Sequence, residues 1–379
     1  MRTSLKKEIL NSFGNGLLKL LVGLAGSGKS RFLFHDLFNE LSACPDYQII
    51  EIRQSVCNDP AALLLRVRKE HDKHVIVLID DIFLFEHSES LFDACAGQSD
   101  VDVIATSDLE PSFALGEKET LIRGRFQRFA FTPVSYIDSL KSGSVKSQEE
   151  YLQRGGLFVS KDECLTKAIE EGRQLKKFRG DYSRNIESVF RHSLNRCDTP
   201  LTVNQIRLEL ESKLSINTFL SYFDFLKGAN LLQMLPRENV ETEQTNARSF
   251  ALYPMDVSFQ GEKRDHAVED KTMILSKLIE ESYRVSSGYV YGKFNGTFQA
   301  LDVAFVLRKG RDKIYLSYGD SDGFKEAETM AKFLKDSYLK IVVVPIETAP
   351  WKDGSGIIHM GLEHFLRLGL SEFAGGQID

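Results

Sequence analysis

The chain is poor in the residues that staple or punctuate small folds: one tryptophan, nine prolines and five cysteines among 379 residues. Cys44, Cys57, Cys95, Cys164 and Cys197 stand far apart, with no CxxC pair and no histidines at metal-ligand spacing. That excludes a disulfide framework and a zinc module, and it fits reduced thiols in a reducing, cytoplasmic setting. No apolar run is long enough to cross a bilayer, and the start, MRTSLKKEIL, lacks the apolar core of a signal peptide. A membrane partner is therefore not expected. An excess of basic charge is absent too: the net charge is −6, which argues against a globally basic nucleic-acid binder and leaves room only for a local basic face. What is present is 42% hydrophobic and 27% charged residues, enough for two or three domains with sizeable cores.

Over residues 1–140, short apolar runs alternate with helical patterns. LLKLLVG, YQIIEI, HVIVLID, VDVIATS and RFAFTP read as buried strands, and RFLFHDLFNELSA and PAALLLRVRKEH as amphipathic helices between them. This alternation predicts an α/β fold, a parallel sheet covered by helices on both faces. Residues 141–185 lose the strand signal and read as a helical lid or connector, polar at first and helical through CLTKAIEEGRQL. Residues 186–250 carry three helical patterns and a short strand, LLQMLP, the order of a winged helix-turn-helix, with 239–250 read as a polar, strandless linker or wing tip. Residues 251–379 return to mixed α/β.

The chemistry is concentrated in GLAGSGKS, Gly23 to Ser30, lying between a predicted strand and a predicted helix. Gly23, Gly28, Lys29 and Ser30 satisfy G-x-x-x-x-G-K-S/T, with Gly26 as an extra glycine. In such a loop, backbone N–H groups converge on phosphates and the following helix adds its dipole. The stretch Gly23, Leu24, Ala25, Gly26, Ser27, Gly28, Lys29, Ser30 and Arg31 is therefore the expected ATP cradle. Lys29 would reach the β- and γ-phosphates, and Ser30 would complete a Mg2+ shell. HVIVLIDD, residues 74–81, ends a buried strand in two acids. Asp80 is the candidate for the magnesium ion and Asp81 for polarising the attacking water, although aspartate is one methylene shorter than the glutamate many ATPases use there. DVDVIATSD ends in Thr106, Ser107 and Asp108, from which Ser107 is taken as a polar group orienting water. In LIRGRFQRFAFTPVS, Arg123, Arg125 and Arg128 precede the fifth strand; Arg125 is the candidate arginine finger, acting in trans on a neighbouring copy of a homo-oligomer.

With those residues in view, the sequence resembles prokaryotic AAA-type P-loop ATPases that carry a winged helix and a C-terminal domain related to PD-(D/E)XK nucleases. The specific likeness lies in Gly124, Arg125, Pro133, Val134, Ser135, Tyr136 and Asp138, and in YLQRGGLF, which departs from the family's Gly-Gly-Phe-Pro box at Leu157 and Phe158. LTVNQIRLELESKLSINTFLSYFDFLKGANLLQML resembles the winged-helix segment, and LYPMDVSF the strand carrying an aspartate, here Asp256. The resemblance implies ATP binding and hydrolysis in the first domain. It also exposes a departure in the last. Glu269 and Asp302 can stand for two metal-binding acids, but Tyr315 and Ser317 stand where a glutamate and a lysine belong. Asp320 lies past that strand in a turn-like GDSDG. A nuclease-like fold without cleavage is the expectation.

The recognition-helix candidate INTFLSYFDFLKG has Lys227 as its only basic residue, which favours a lid or protein contact over sequence-specific DNA reading. Three functions stay open on sequence: an ATP-driven switch engaging a protein or DNA client, a DNA-binding scaffold using ATP as a structural ligand, and an ATP-regulated nuclease.

Overall fold

The computed structural model describes residues 2–53, 73–95, 99–175, 183–210, 214–259, 264–294, 297–319 and 323–370. The helix expected over PAALLLRVRKEH, Cys57 and Asp320 lie outside the described residues. The chain forms two compact units. The first comprises Met1–Pro133, Leu157–Arg184 and Asp224–Leu231; the second comprises Val134–Gly156, Asn185–Phe223 and Leu232–Asp379. Residues 141–185 thus contribute to both, with the helix Gln148–Arg154 in the second unit and the helix Lys161–Gln174 in the first.

In the first unit, five strands form a parallel sheet: β1 (Leu18–Val22), β2 (Tyr47–Ile52), β3 (His74–Ile79), β4 (Val101–Ser107) and β5 (Phe126–Ala130). All five were legible as apolar runs. Their order across the sheet is β2-β3-β4-β1-β5. Every residue of β1 and β4 is buried, as a central strand covered on both faces requires. One of them is Lys19, whose ammonium pairs with the buried Asp102 and bonds Asn15 Oδ1 at 2.9 Å; His74 Nε2 bonds the other Asp102 oxygen at 2.8 Å. A lysine inside an apolar run is tolerated because an acid two registers along the neighbouring strand meets it.

The second unit is built on an eight-stranded mixed sheet in the order β12-β13-β11-β10-β9-β8-β6-β7. These strands are β6 (Leu232–Asn239), β7 (Thr245–Pro254), β8 (Arg284–Phe294), β9 (Thr297–Lys309), β10 (Asp312–Tyr318), β11 (Leu339–Val344), β12 (Trp351–Lys352) and β13 (Ile358–Gly361). The helices His266–Glu280 and Leu362–Leu368 cover one face, and the helix Phe324–Phe333 packs into the core on the other.

Two expectations are corrected here. Residues 239–250 are not strandless: β7 begins at Thr245, and β6 pairs in parallel with β8, so the hairpin belongs to the large sheet and the 250/251 boundary falls within β7. The segment reads as polar because the leading residues of β7, Thr245, Asn246 and Arg248, are exposed, whereas Phe250–Pro254 are buried. Asp256 is not on a strand either; it lies two residues past β7.

Asp256 instead ties the YLQRGG segment to the sheet. Its buried carboxylate accepts from Gly156 N at 2.8 Å and Ser258 N at 2.9 Å, and Tyr151 donates its hydroxyl to Val134 O at 2.8 Å. Burial raises the Asp256 carboxyl above its ordinary range. Gly155 sits at φ +72°, and a Cβ there would lie 2.0 Å from Asp256 Oδ1. Gly155→Ala should therefore destabilise the second unit by about 2 kcal/mol or more, from left-handed strain plus the clash. Urea unfolding measures this, and a change within experimental error would contradict the assigned role of the glycine.

Candidate functional site

The parallel register brings three strand ends to one edge of the first sheet. Gly23 N donates to Ser107 O at 3.2 Å and Phe131 N to Val22 O at 2.8 Å, so the loop after β1 leaves between the ends of β4 and β5. A Cβ on Gly23 would lie 1.9 Å from Phe131 O, which is why only glycine fits at the loop's entry. Gly26 and Gly28 adopt φ +72° and +92°, turning the chain tightly before the helical residues Lys29–Arg31. The helix continues through a π-helical stretch, Phe32–Leu37, into Phe38–Ser42.

Leu24, Ala25 and Ser27 are fully buried, and the Ser27 hydroxyl has no hydrogen-bond partner among the described residues. The segment after Gly156 lies over the loop. Phe158 N donates to Gly26 O at 2.9 Å, and Cys164 Sγ lies 3.2 Å from Ala25 O. Cβ atoms on Gly26 and Gly28 would meet Val159 and Phe158 at 2.2 and 2.4 Å, and the Arg31 guanidinium lies 5.5 Å from the Phe158 ring centroid. Phe158, noted on sequence only as a departure from a motif, is thus part of the loop's cover.

Asp80 is the meeting point of the acids and the loop. Ser30 Oγ donates to Asp80 Oδ1 at 2.9 Å, and Thr106 Oγ1 donates to the same oxygen at 2.7 Å. Thr106 Oγ1 also accepts from Asp81 N at 2.9 Å, which holds Asp81 in a left-handed turn at φ +45°. Ser107 does not take the role expected of it. Its hydroxyl is buried, donating to Leu109 O at 2.7 Å and accepting from Leu109 N at 3.0 Å, so it closes the turn after β4. Residues alternate sides along a strand, so the neighbour, Thr106, faces Asp80 instead.

Behind the loop lies a charged cluster the sequence did not disclose. Lys29 Nζ donates to Gly23 O and Leu24 O, each at 2.9 Å, and pairs with Asp108 Oδ1. Asp108 Oδ2 is 2.9 Å from Lys167 Nζ, on the helix Lys161–Gln174. Lys167 also lies 3.8 Å from Asp81 Oδ2 and 3.9 Å from Glu171 Oε1. Asp81, Asp108 and Glu171 offer oxygens within 4.8 Å of one another, and the Lys167 ammonium is the cation set among them. Lys167 and Glu171 are one helical turn apart, a spacing too common on solvated helices to single them out.

The electrostatics follow from burial. Burial pushes Asp108 up, but the Lys29 and Lys167 ammonium groups outweigh it and hold the carboxyl at about 2. Burial and the Asp108 charge raise Asp81 to about 7. Burial and the charges of Asp108 and Asp81 raise Glu171 to about 10, and the acids around Lys167 overcome its burial and push its pKa up.

Arg125 lies at the opposite edge of the sheet. Phe126 pairs with Leu18 at the start of β1, whereas the loop follows Val22 at its end, so the strand length alone separates them by roughly 13 Å. Arg125 pairs with Asp93 of its own chain and remains half-exposed. It does not reach its own loop.

In the second unit the two candidate metal acids each pair with different basic residues. Glu269 is buried on the helix His266–Glu280, where Arg264 Nε bonds it at 2.8 Å and His266 Nδ1 lies at 3.0 Å. Asp302, on β9, is exposed and pairs with Arg237 of β6. Tyr315 donates its hydroxyl to Asp336 at 2.6 Å, and Ser317 is buried.

The oxygen donors Ser30 and Asp80 suit a hard divalent cation such as Mg2+, and the glycine turns with the orphaned Ser27 hydroxyl suit a polar ligand in the loop. No protein-family model matches the chain. It is similar to an uncharacterised protein of Haemophilus influenzae, 22% identical over 391 residues and covering 90% of this chain and 92% of the relative. Among solved structures, a Walker-type ATPase of Pyrococcus abyssi aligns with 68% of this chain and 94% of its own, at 13% identity and a TM-score of 0.43. The ORC2 protein of Aeropyrum pernix, solved in ADPNP–ADP complexes, aligns with 74% of this chain and 95% of its own, at 11% identity and a TM-score of 0.38. No helix among the described residues is long and apolar enough to cross a membrane.

Glu171 yields a test of the buried cluster. Its carboxyl is raised to about 10 from an ordinary 4.5, so between those values the folded protein holds a proton that the unfolded chain has lost. Stability should therefore fall as pH rises through that window. Glu171→Gln keeps a neutral hydrogen-bonding side chain at every pH. Its Tm should vary less than the wild type's between about pH 5 and about pH 9, and should exceed it at the upper end. Parallel pH profiles for the two proteins would contradict a protonated Glu171.

Proposed function

We propose that this protein is a Mg2+-dependent ATPase of the AAA type, in which the first unit binds and hydrolyses ATP as a conformational switch. The observation that carries this reading is the convergence of Ser30 and Thr106 on one oxygen of Asp80, beside a glycine loop bearing Lys29. Backbone N–H groups of the loop would bind the phosphates, and Lys29 would exchange its two carbonyls and Asp108 for the β- and γ-phosphate oxygens. Ser30 and Asp80 would hold Mg2+, which when bound neutralises charge developing on the phosphoryl oxygens.

Asp81 would accept the proton of the attacking water. Raised to about 7, it is a stronger base than an ordinary carboxylate while still substantially ionised near neutrality. Thr106 would serve it by fixing its backbone and its neighbour Asp80. Arg125, too far from its own loop, would act only on the nucleotide of a neighbouring copy, which makes a homo-oligomer part of the reading.

The remaining segments are read as the switch's output. Residues 186–250 would form a winged helix whose last strand, β7, runs on into residues 251–379, a nuclease-like platform. The separate pairing of Glu269 and Asp302, with Tyr315 and Ser317 nearby in sequence order, supports binding of a DNA or protein client without cleavage. Incubation with linear, circular and single-stranded DNA, ATP and Mg2+ or Mn2+ should leave the DNA intact; cleavage lost in Asp302→Ala would overturn that part.

For the ATPase itself, Lys29→Ala should weaken ATP binding about a hundredfold or more, the scale of losing a charge-assisted contact to phosphate. Asp80→Ala should chiefly reduce Mg2+-dependent turnover, and Arg125→Ala should retain binding while losing turnover. Mixing Lys29→Ala with Arg125→Ala should restore part of the activity. Unchanged nucleotide affinity in Lys29→Ala would refute the site, and turnover that survives Arg125→Ala at every protein concentration would refute action in trans.

A further inference from the structure

Asp108 is a buried carboxylate whose two oxygens are each assigned to a different lysine. Oδ1 pairs with Lys29 of the phosphate loop, and Oδ2 with Lys167 at 2.9 Å, from the helix Lys161–Gln174. Of the groups around Lys167, Asp108 is the nearest; Asp81 and Glu171 stand at 3.8 and 3.9 Å. The helix is also joined to the loop through its leading residues, since Phe158 N bonds Gly26 O and Cys164 Sγ approaches Ala25 O. One helix therefore touches both the loop and the acid behind it.

We propose that Asp108 and Lys167 form a relay that sets the position of the helix Lys161–Gln174 according to what Lys29 is bound to, making Lys167 a positioning residue for hydrolysis. The inference rests on the ATPase reading above. Phosphates carry several charges and two or more acceptor oxygens toward Lys29, so they draw its ammonium from the single carboxylate oxygen it now holds. Asp108 is then left with one cation. A buried carboxylate without compensation is costly by several kcal/mol, so the Asp108–Lys167 pair becomes the one that must be kept. Lys167 is held to Asp108 and away from Asp81, the group assigned to the attacking water. The helix and the Leu157–Ser160 stretch that covers the loop are fixed with it. A nucleoside diphosphate, with less charge at the end of the loop, draws Lys29 less strongly and fixes the helix less.

Hydrogen–deuterium exchange on the full chain, with ADPNP or ADP and Mg2+, reads this directly. In the wild type, ADPNP should slow exchange over residues 157–174 about tenfold more than ADP does, the scale of a typical coupling between sites. Lys167→Met should abolish that difference and lower kcat about tenfold, with the KM for ATP moving less than about threefold; Lys167→Arg should restore both. If Lys167→Met retains the ADPNP–ADP difference, or raises KM as much as it lowers kcat, the relay is refuted while the ATPase reading stands. If the wild type binds neither nucleotide, both fail together.

Discussion

Everything at the first sheet's edge depends on one carboxylate oxygen that receives two hydroxyls. Asp80 Oδ1 takes hydrogen bonds from Ser30, at the end of the glycine loop, and from Thr106, at the end of β4. The loop after β1, the acids after β3 and the polar end of β4 are far apart in sequence. Parallel pairing brings their C-terminal ends together, and the β4 strand between β1 and β3 supplies the hydroxyl that bridges them. A side chain on Gly23 would collide with Phe131 and push the loop off this register.

The second constraint is charge in a dry place. Asp108 and Glu171 are almost wholly buried beside Asp81, with two ammonium groups, Lys29 and Lys167, to serve three acids. The fold resolves the imbalance by holding Glu171 neutral, raising Asp81 toward neutrality and leaving Asp108 fully ionised between the lysines. Such an arrangement is poised: withdrawing one lysine redistributes the other. It also places the helix Lys161–Gln174 inside the chemistry of the site rather than at its margin.

Much of this was legible in the sequence, for identifiable reasons. All five strands of the first sheet were visible because buried parallel strands read as unbroken apolar runs, and the tight turns between β1 and the following helix because glycines mark them. Of the two hydroxyls that end β4, Thr106 and not the expected Ser107 faces Asp80; strand alternation decides which of two adjacent polar residues does so, and a sequence does not show where alternation begins. Lys167 and Glu171 were invisible because a Lys and a Glu one turn apart normally mark a solvated face. Only the leading part of β7, within residues 239–250, reads as a linker or wing tip, because Thr245, Asn246 and Arg248 are exposed polar residues. Asp256, marked by resemblance as a strand residue, proved to be a backbone acceptor whose partner is the Gly155–Gly156 turn.

The central claim is that the loop Gly23–Ser30 and Asp80 together form one magnesium–nucleotide site. Calorimetric titration of the full chain with ATP, in the presence of Mg2+ and again with Mg2+ removed by chelation, tests it most directly. The account predicts saturable binding of one nucleotide per chain, with affinity weakened when the metal is withdrawn. No saturable binding, or an affinity indifferent to Mg2+, would contradict it.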